Sequence, residues 1–139
     1  MVHALEEIYR VLKPNGMLID LRPIEENWKA EVVTSTNYQT CGSLTALARG
    51  VADDEAANQA VGQVERRGLF IKEREEMFSY FYMWDTPSEM KEFMESEWEE
   101  FEKMEDDLYR KVGTAWATSN ADANVRVRVH ILISLWKKL

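Results

Sequence analysis

The sequence predicts an α/β fold, α+β for the chain taken by itself, and three stretches carry that expectation. His3 to Pro23 reads as an amphipathic helix, a tight turn and a buried strand. Met77 to Trp84 reads as a strand with apolar residues on both faces. Val125 to Trp136 alternates apolar with polar residues more cleanly than any other segment, and helical spacing fills the interval before it.

In chain order, Leu5, Ile8, Tyr9 and Leu12 recur on one face of a helix expected over about residues 2–12, with Glu6, Glu7, Arg10 and Lys13 elsewhere around it. Pro14 disfavours helical geometry at Lys13, and Asn15-Gly16 tolerate the left-handed turn that follows. Met17 to Leu21 is then a short apolar strand covered on both faces. Asp20 interrupts it and admits two readings, a satisfied strand-end carboxylate or a catalytic role. The first is favoured, because charges are seldom buried without partners.

Alternation and the Asn37 turn predict a small hairpin over about 30–44. Asp53 or Asp54 is expected to cap a helix over about 54–67, with Ala57, Ala60, Val61 and Val64 as its packing stripe and Gly62 costing about 1 kcal/mol. The aromatic strand 77–84 suits a core better than a ligand cage. Thr86, Pro87 and Glu89 form a capping box, and Met90, Phe93, Met94, Trp98, Phe101, Met104, Leu108 and Val112 extend the expected helix over 87–112. Arg110, Lys111 and Gly113 suit its end. On the final strand, 125–136, Arg126 and Arg128 could hold an anion or pair with the acidic helix, and the pairing is expected. His130 lacks ligand spacing to another donor and reads as a packing residue.

At 139 residues and 45% hydrophobic content the chain suits a single domain, 1–139, with the hairpin and helix at about 29–68 as an insertion. No apolar run approaches the roughly 20 residues that span a bilayer, and Glu6 and Glu7 fall where a signal peptide would be apolar. Cys41 is alone, which fits a small buried hydrophobe in a reducing cytoplasm. The formal net charge of −8 argues against nucleic-acid partners. The carboxylates of 89–107 read as a solvated helix face rather than a calcium loop, and no metal site is expected.

Arg10, Val11, Leu12, Lys13, Pro14, Asn15 and Gly16, followed by a buried strand, resemble the R-V-L-K-P-G-G pattern of class I S-adenosylmethionine (SAM) dependent methyltransferases, of the type 11-like kind. The element order resembles the end of that Rossmann-like sheet. The resemblance implies that 17–21, 77–84 and 125–136 correspond to the fifth, sixth and seventh strands, with the last antiparallel between the other two. In that family the cofactor is held after earlier strands. A chain starting at this helix would carry the C-terminal portion, with no cofactor-binding residues of its own, and the Gly42 to Gly50 segment lacks G-x-G spacing. It would contribute sheet scaffold and the acceptor-substrate side, be inactive alone, and need a separate SAM-binding half; its catalytic residues are not given. The alternative is a stand-alone interaction module. Either reading leaves strand edges open and predicts a homo-oligomer.

Overall fold

In the computed structural model, which describes residues 1–139, Val2–Val11 form α1. The helix ends where Pro14 requires. Asn15 takes the left-handed conformation at φ 61°, and the Gly16 N–H donates to the Lys13 carbonyl at 2.8 Å. A side chain on Gly16 would begin 2.8 Å from that same oxygen, so only glycine fits there. At the end of α1, the Lys138 Nζ donates to the carbonyls of Tyr9 (2.6 Å) and Leu12 (2.7 Å), satisfying acceptors that the helix leaves open.

The strand that follows, β1 (Met17–Val33), does not stop near Leu21. It runs through Pro23 and absorbs the first arm of the expected hairpin. Two local features permit this. Pairing with β2 (Tyr38–Ser43) begins only at Lys29, so Pro23 lies on a stretch with one unpaired flank, and Asn27 bends the chain with φ 57°. The hairpin itself matches its expected place: Val33 pairs with Tyr38 and Lys29 with Ser43, with a register shift between Ala30 and Glu31.

A two-residue strand, β3 (Thr45–Ala46), precedes α2 (Ala48–Arg66). The helix therefore starts before Asp53 and Asp54, which lie inside it rather than capping it. Its start is fixed by tertiary tethering: the Leu47 N–H donates to the Phe101 carbonyl at 2.8 Å, and the Leu47 carbonyl accepts from Val51. Its end follows local rules. Gly68 adopts φ 69°, with Gly68 N–H on the Glu65 carbonyl and Leu69 N–H on the Val64 carbonyl, the paired bonds of a left-handed helix stop.

Then comes β4 (Phe70–Trp84), which begins well before Met77. The Thr86 Oγ1 caps α3 (Pro87–Glu97) by accepting from the Glu89 N–H at 3.2 Å, and the Glu89 carboxylate reaches back to the Asp85 N–H at 3.1 Å. The expected single helix over 87–112 is two. It breaks after Glu97, a two-residue strand β5 (Glu102–Lys103) pairs antiparallel with β3, and α4 (Asp106–Ala117) begins afresh. The break lets Trp98 pack edge-on against Trp28 (5.1 Å) and Tyr82 (4.9 Å), which a continuing helix would not hold in place.

The last strand, β6 (Asn124–Lys138), completes a four-stranded sheet of order β2-β1-β6-β4; β3 and β5 form a second, two-stranded sheet. The Lys138 N–H donates to the Gly16 carbonyl and the Leu139 N–H to the Leu69 carbonyl, so the end of β6 lies beside the starts of both β1 and β4. It is antiparallel to each.

The chain divides into two compact units, one of Met1–Ile24, Ala52–Phe78 and Ile131–Leu139, the other of Glu25–Val51 and Ser79–His130. In the first, Val64, Phe70 and Trp136 are buried beneath Leu5, Ile8, Tyr9 and Leu12 of α1. The second buries Trp28, Val32, Met90, Met94, Val112, Val127 and Val129. The aromatic stripe of β4 is not the core strand expected, since Phe78, Tyr80, Phe81, Tyr82 and Met83 are exposed; Trp84 is half-buried. No helix is long and apolar enough to cross a membrane.

Candidate functional site

Strand alternation places Arg126 and Arg128 on one face of β6, and β1 brings Glu31 to them rather than the acidic helix expected as their partner. Glu31 is 0% exposed. Its Oε1 accepts from Arg126 Nε at 2.8 Å, and its Oε2 accepts from Arg128 Nη2 at 2.6 Å and from Thr40 Oγ1 at 2.8 Å. Thr40 is the register partner of Glu31 on β2. The Arg126 guanidinium lies 4.2 Å from the Phe81 ring and 4.9 Å from that of Tyr38. A hydrogen bond with Tyr38, ahead of the Glu31 charge, raises the Arg128 pKa above its ordinary value. Two guanidinium groups against one carboxylate leave this cluster with an excess positive charge on an aromatic surface.

A second buried carboxylate lies in the same unit. Glu102 on β5 is 3% exposed and faces Glu25. Burial first, then the hydrogen bond and charge of Glu25, push its pKa from 4.5 up to about 8. Two adjacent carboxylates cannot both ionise in such a place, and one shared proton supplies a donor between Glu102 and Glu25. Gly50 makes room for the pair, since a side chain there would begin 3.0 Å from the Glu25 Cγ. Glu102 also borders a cavity of about 320 Å³ with Lys91, Met94, Glu99 and Met104.

In the first unit, Asp20 is paired, as expected of a satisfied carboxylate, but it lies inside β1 rather than at a strand end. Its Oδ2 accepts from Arg22 Nε at 3.2 Å. Arg22 also donates through Nη2 to Asn58 Oδ1 at 2.6 Å and through Nη1 to the Asp54 carbonyl at 3.5 Å. The pair stands at one end of an apolar cavity of about 380 Å³ beneath α1 and α2.

Cys41 is half-buried, and burial raises its thiol pKa above the ordinary value. His130 is half-buried on β6. Part of the acidic segment is paired locally: the Glu89 carboxylate accepts from the Asp85 N–H at 3.1 Å, Glu95 faces Lys91 at 3.8 Å, Glu105 faces Lys103 at 3.4 Å, and Asp107 accepts from Arg110 at 2.6 Å. No three His, Cys, Asp or Glu side chains gather in a way that could hold a metal ion.

Glu31, Glu25 and Glu102 are the residues that sequence reasoning passes over. Glu31 carried a signal, a charge between Ala30 and Val32 in a strand whose other apolar positions are buried. Glu102 carried none, because the spacing around it reads as helix. No protein-family model, no curated protein and no solved structure matches the chain.

Proposed function

We propose that this chain supplies the C-terminal strands of a class I methyltransferase-like sheet, serving as scaffold and as the acceptor-substrate side rather than as a catalyst by itself. The observation that carries this reading is the strand order, with β6 antiparallel between β1 and β4. The methyltransferase resemblance implies that order for its fifth, seventh and sixth strands. The helix-turn-strand of Arg10 to Leu21 supports the same reading, since α1 precedes β1 and α2 connects β1 to β4, as in an α/β unit.

The test is calorimetric titration with SAM of this chain alone and of the longer protein encoded in frame with its upstream DNA. Binding in the longer protein only is the expected result. The strand-to-helix turns of this chain carry Asp85-Thr86-Pro87 and Met104-Glu105-Asp106, acidic where an anionic cofactor group needs free N–H donors. Micromolar SAM binding to this chain alone, or a longer protein that binds no SAM, would sink the proposal.

A second reading, a self-associating interaction module, rests on the exposed edge strand β4. The two readings separate on SAM binding, because only the first requires it of the longer protein.

A further inference from the structure

The sheet face around Glu31 carries more positive charge than the chain itself uses. Val125, Val127 and Val129 are buried in the core, so strand alternation turns Arg126 and Arg128 to the opposite face of β6. Phe81 stands on that opposite face too: its neighbours Tyr82 and Trp84 pack against Phe93 of α3, while Phe81 meets Arg126. Both arginines pair with Glu31, and neither forms an ion pair with any other carboxylate. Two guanidinium charges against one carboxylate leave a single positive charge unmatched, in a place where partial burial limits screening.

Donors are left over as well. Arg126 gives Glu31 its Nε alone, which leaves both of its Nη groups without a partner. Arg128 gives Glu31 its Nη2, while its Nε is buried with no acceptor. A buried donor in that state is costly, and native proteins seldom leave one so. The two side chains remain 14% and 26% exposed, so a ligand can reach them from solvent.

The surroundings set the kind of anion. Phe81 and Tyr38 are exposed, and both rings lie against the Arg126 guanidinium, offering flat apolar surface beside the charge. The Nη groups of a guanidinium form a planar fork that fits a carboxylate with two parallel bonds. One unmatched charge suits a monoanion, whereas a phosphate monoester brings close to two.

We propose that this face binds a small aromatic monocarboxylate, its carboxylate held by the guanidinium groups of Arg126 and Arg128 and its ring laid against Phe81 and Tyr38. These four residues and Glu31 lie within one unit, and the site uses no step of the methyltransferase reading, so either can fail without the other.

The Nε–H of Arg126, fixed on Glu31, is a reporter at the site, and the indole N–H of the buried Trp28 reports on the core of the same unit. The native chain is titrated with benzoate, with the uncharged benzyl alcohol, with the cationic benzylamine and with cyclohexanecarboxylate, following both signals by NMR. Benzoate should shift the Arg126 signal and leave Trp28 in place. It should bind at least tenfold more tightly than benzyl alcohol and at least threefold more tightly than cyclohexanecarboxylate, and benzylamine should not bind. Phe81→Leu, at an exposed position, removes a ring and should erase the preference for benzoate over cyclohexanecarboxylate. Phe81→Glu sets a carboxylate beside Arg126 that takes up the unmatched charge, and should abolish benzoate binding with the Trp28 signal unmoved. Arg126→Lys keeps the charge without the fork and should weaken benzoate at least fivefold, which keeps the test open if Phe81→Glu does not fold. Benzoate bound no better than the alcohol or the amine, an Arg126 signal that no probe moves, an unchanged preference in Phe81→Leu, or benzoate binding that survives Phe81→Glu or Arg126→Lys would overturn the proposal.

Discussion

Glu31 shows what a single buried charge demands of its neighbours. It is held by three donors from two other strands, and each is needed, because an ionised carboxylate removed from water is tolerated only when its lone pairs are filled. Glu31→Gln keeps the shape but removes the charge that two guanidinium groups share. The expected loss is about 2–4 kcal/mol of unfolding free energy, read from urea denaturation. A loss below about 0.5 kcal/mol would mean that the arginines are held by Tyr38 and Phe81 instead.

Glu102 makes the opposite arrangement, a carboxyl group kept neutral. Its folded pKa of about 8 lies above the ordinary 4.5, so between those values the folded protein holds a proton that the unfolded chain has released. Stability therefore falls as pH rises across that window, by at most about 1.4 kcal/mol per pH unit. The contribution is fully present below about pH 4.5 and gone above about pH 8. Glu102→Gln keeps a donor toward Glu25 without titrating. It should flatten the decline and leave the variant more stable than the native chain at pH 8.5, measured by denaturation at pH 5.5 and 8.5. Parallel pH profiles for the two proteins would show that Glu102 is not the titrating group.

At the scale of elements, the start of α3 is the clearest agreement between local chemistry and structure. Thr86→Ala removes the acceptor for the Glu89 N–H and should cost about 1 kcal/mol, seen as a fall of a few degrees in the thermal midpoint; Thr86→Ser should restore most of it. That start was legible because a capping box is written within four consecutive residues. The same holds for the Pro14 turn and for the alternation that makes β6. What could not be read locally was set by partners far along the chain. The apolar spacing from Met90 to Val112 is shared by two helices, and the break between them is decided by Trp98 meeting Trp28 and by β5 meeting β3. The early start of α2 depends on Leu47 and Phe101, and the fusion of strand and hairpin into β1 depends on how far β2 reaches. The candidate site suffered for the same reason. Asp20 was visible as a charge in a strand, whereas the Glu25–Glu102 pair exists only because β5 is not helix.

For the whole molecule, the open question left by its own geometry is the edge of the sheet. β4 is an end strand in the order β2-β1-β6-β4, fifteen residues long, and nothing pairs with its outer side. Long unpaired edges invite another strand, and natural proteins guard them with charge. The first half of β4 is guarded by Lys72, Glu73, Arg74, Glu75 and Glu76; Lys72 pairs with Glu75 at 2.9 Å and Arg74 with Glu76 along the strand, and Glu73 faces Lys137 of β6 at 4.0 Å. The second half is not. Met77 to Met83 contains no charge and exposes Met77, Phe78, Tyr80, Phe81 and Met83. Self-association is therefore expected to use this uncharged half, two copies pairing antiparallel about a two-fold axis near Tyr80 so that each contributes the same residues. Sedimentation equilibrium at low micromolar concentration should give twice the 16.2 kDa chain mass. The amide protons of Met77 to Met83 should exchange more slowly as concentration rises, because their outward N–H groups gain partners only in the dimer. Tyr80→Lys places a charge at the centre of the pairing and should return the chain to a monomer without lowering its thermal midpoint by more than a few degrees at dilute concentration. A native chain that stays monomeric at 100 micromolar would refute the expectation outright, and a Tyr80→Lys protein that still dimerises would move the interface away from β4, toward the unpaired flank of β1 before Lys29.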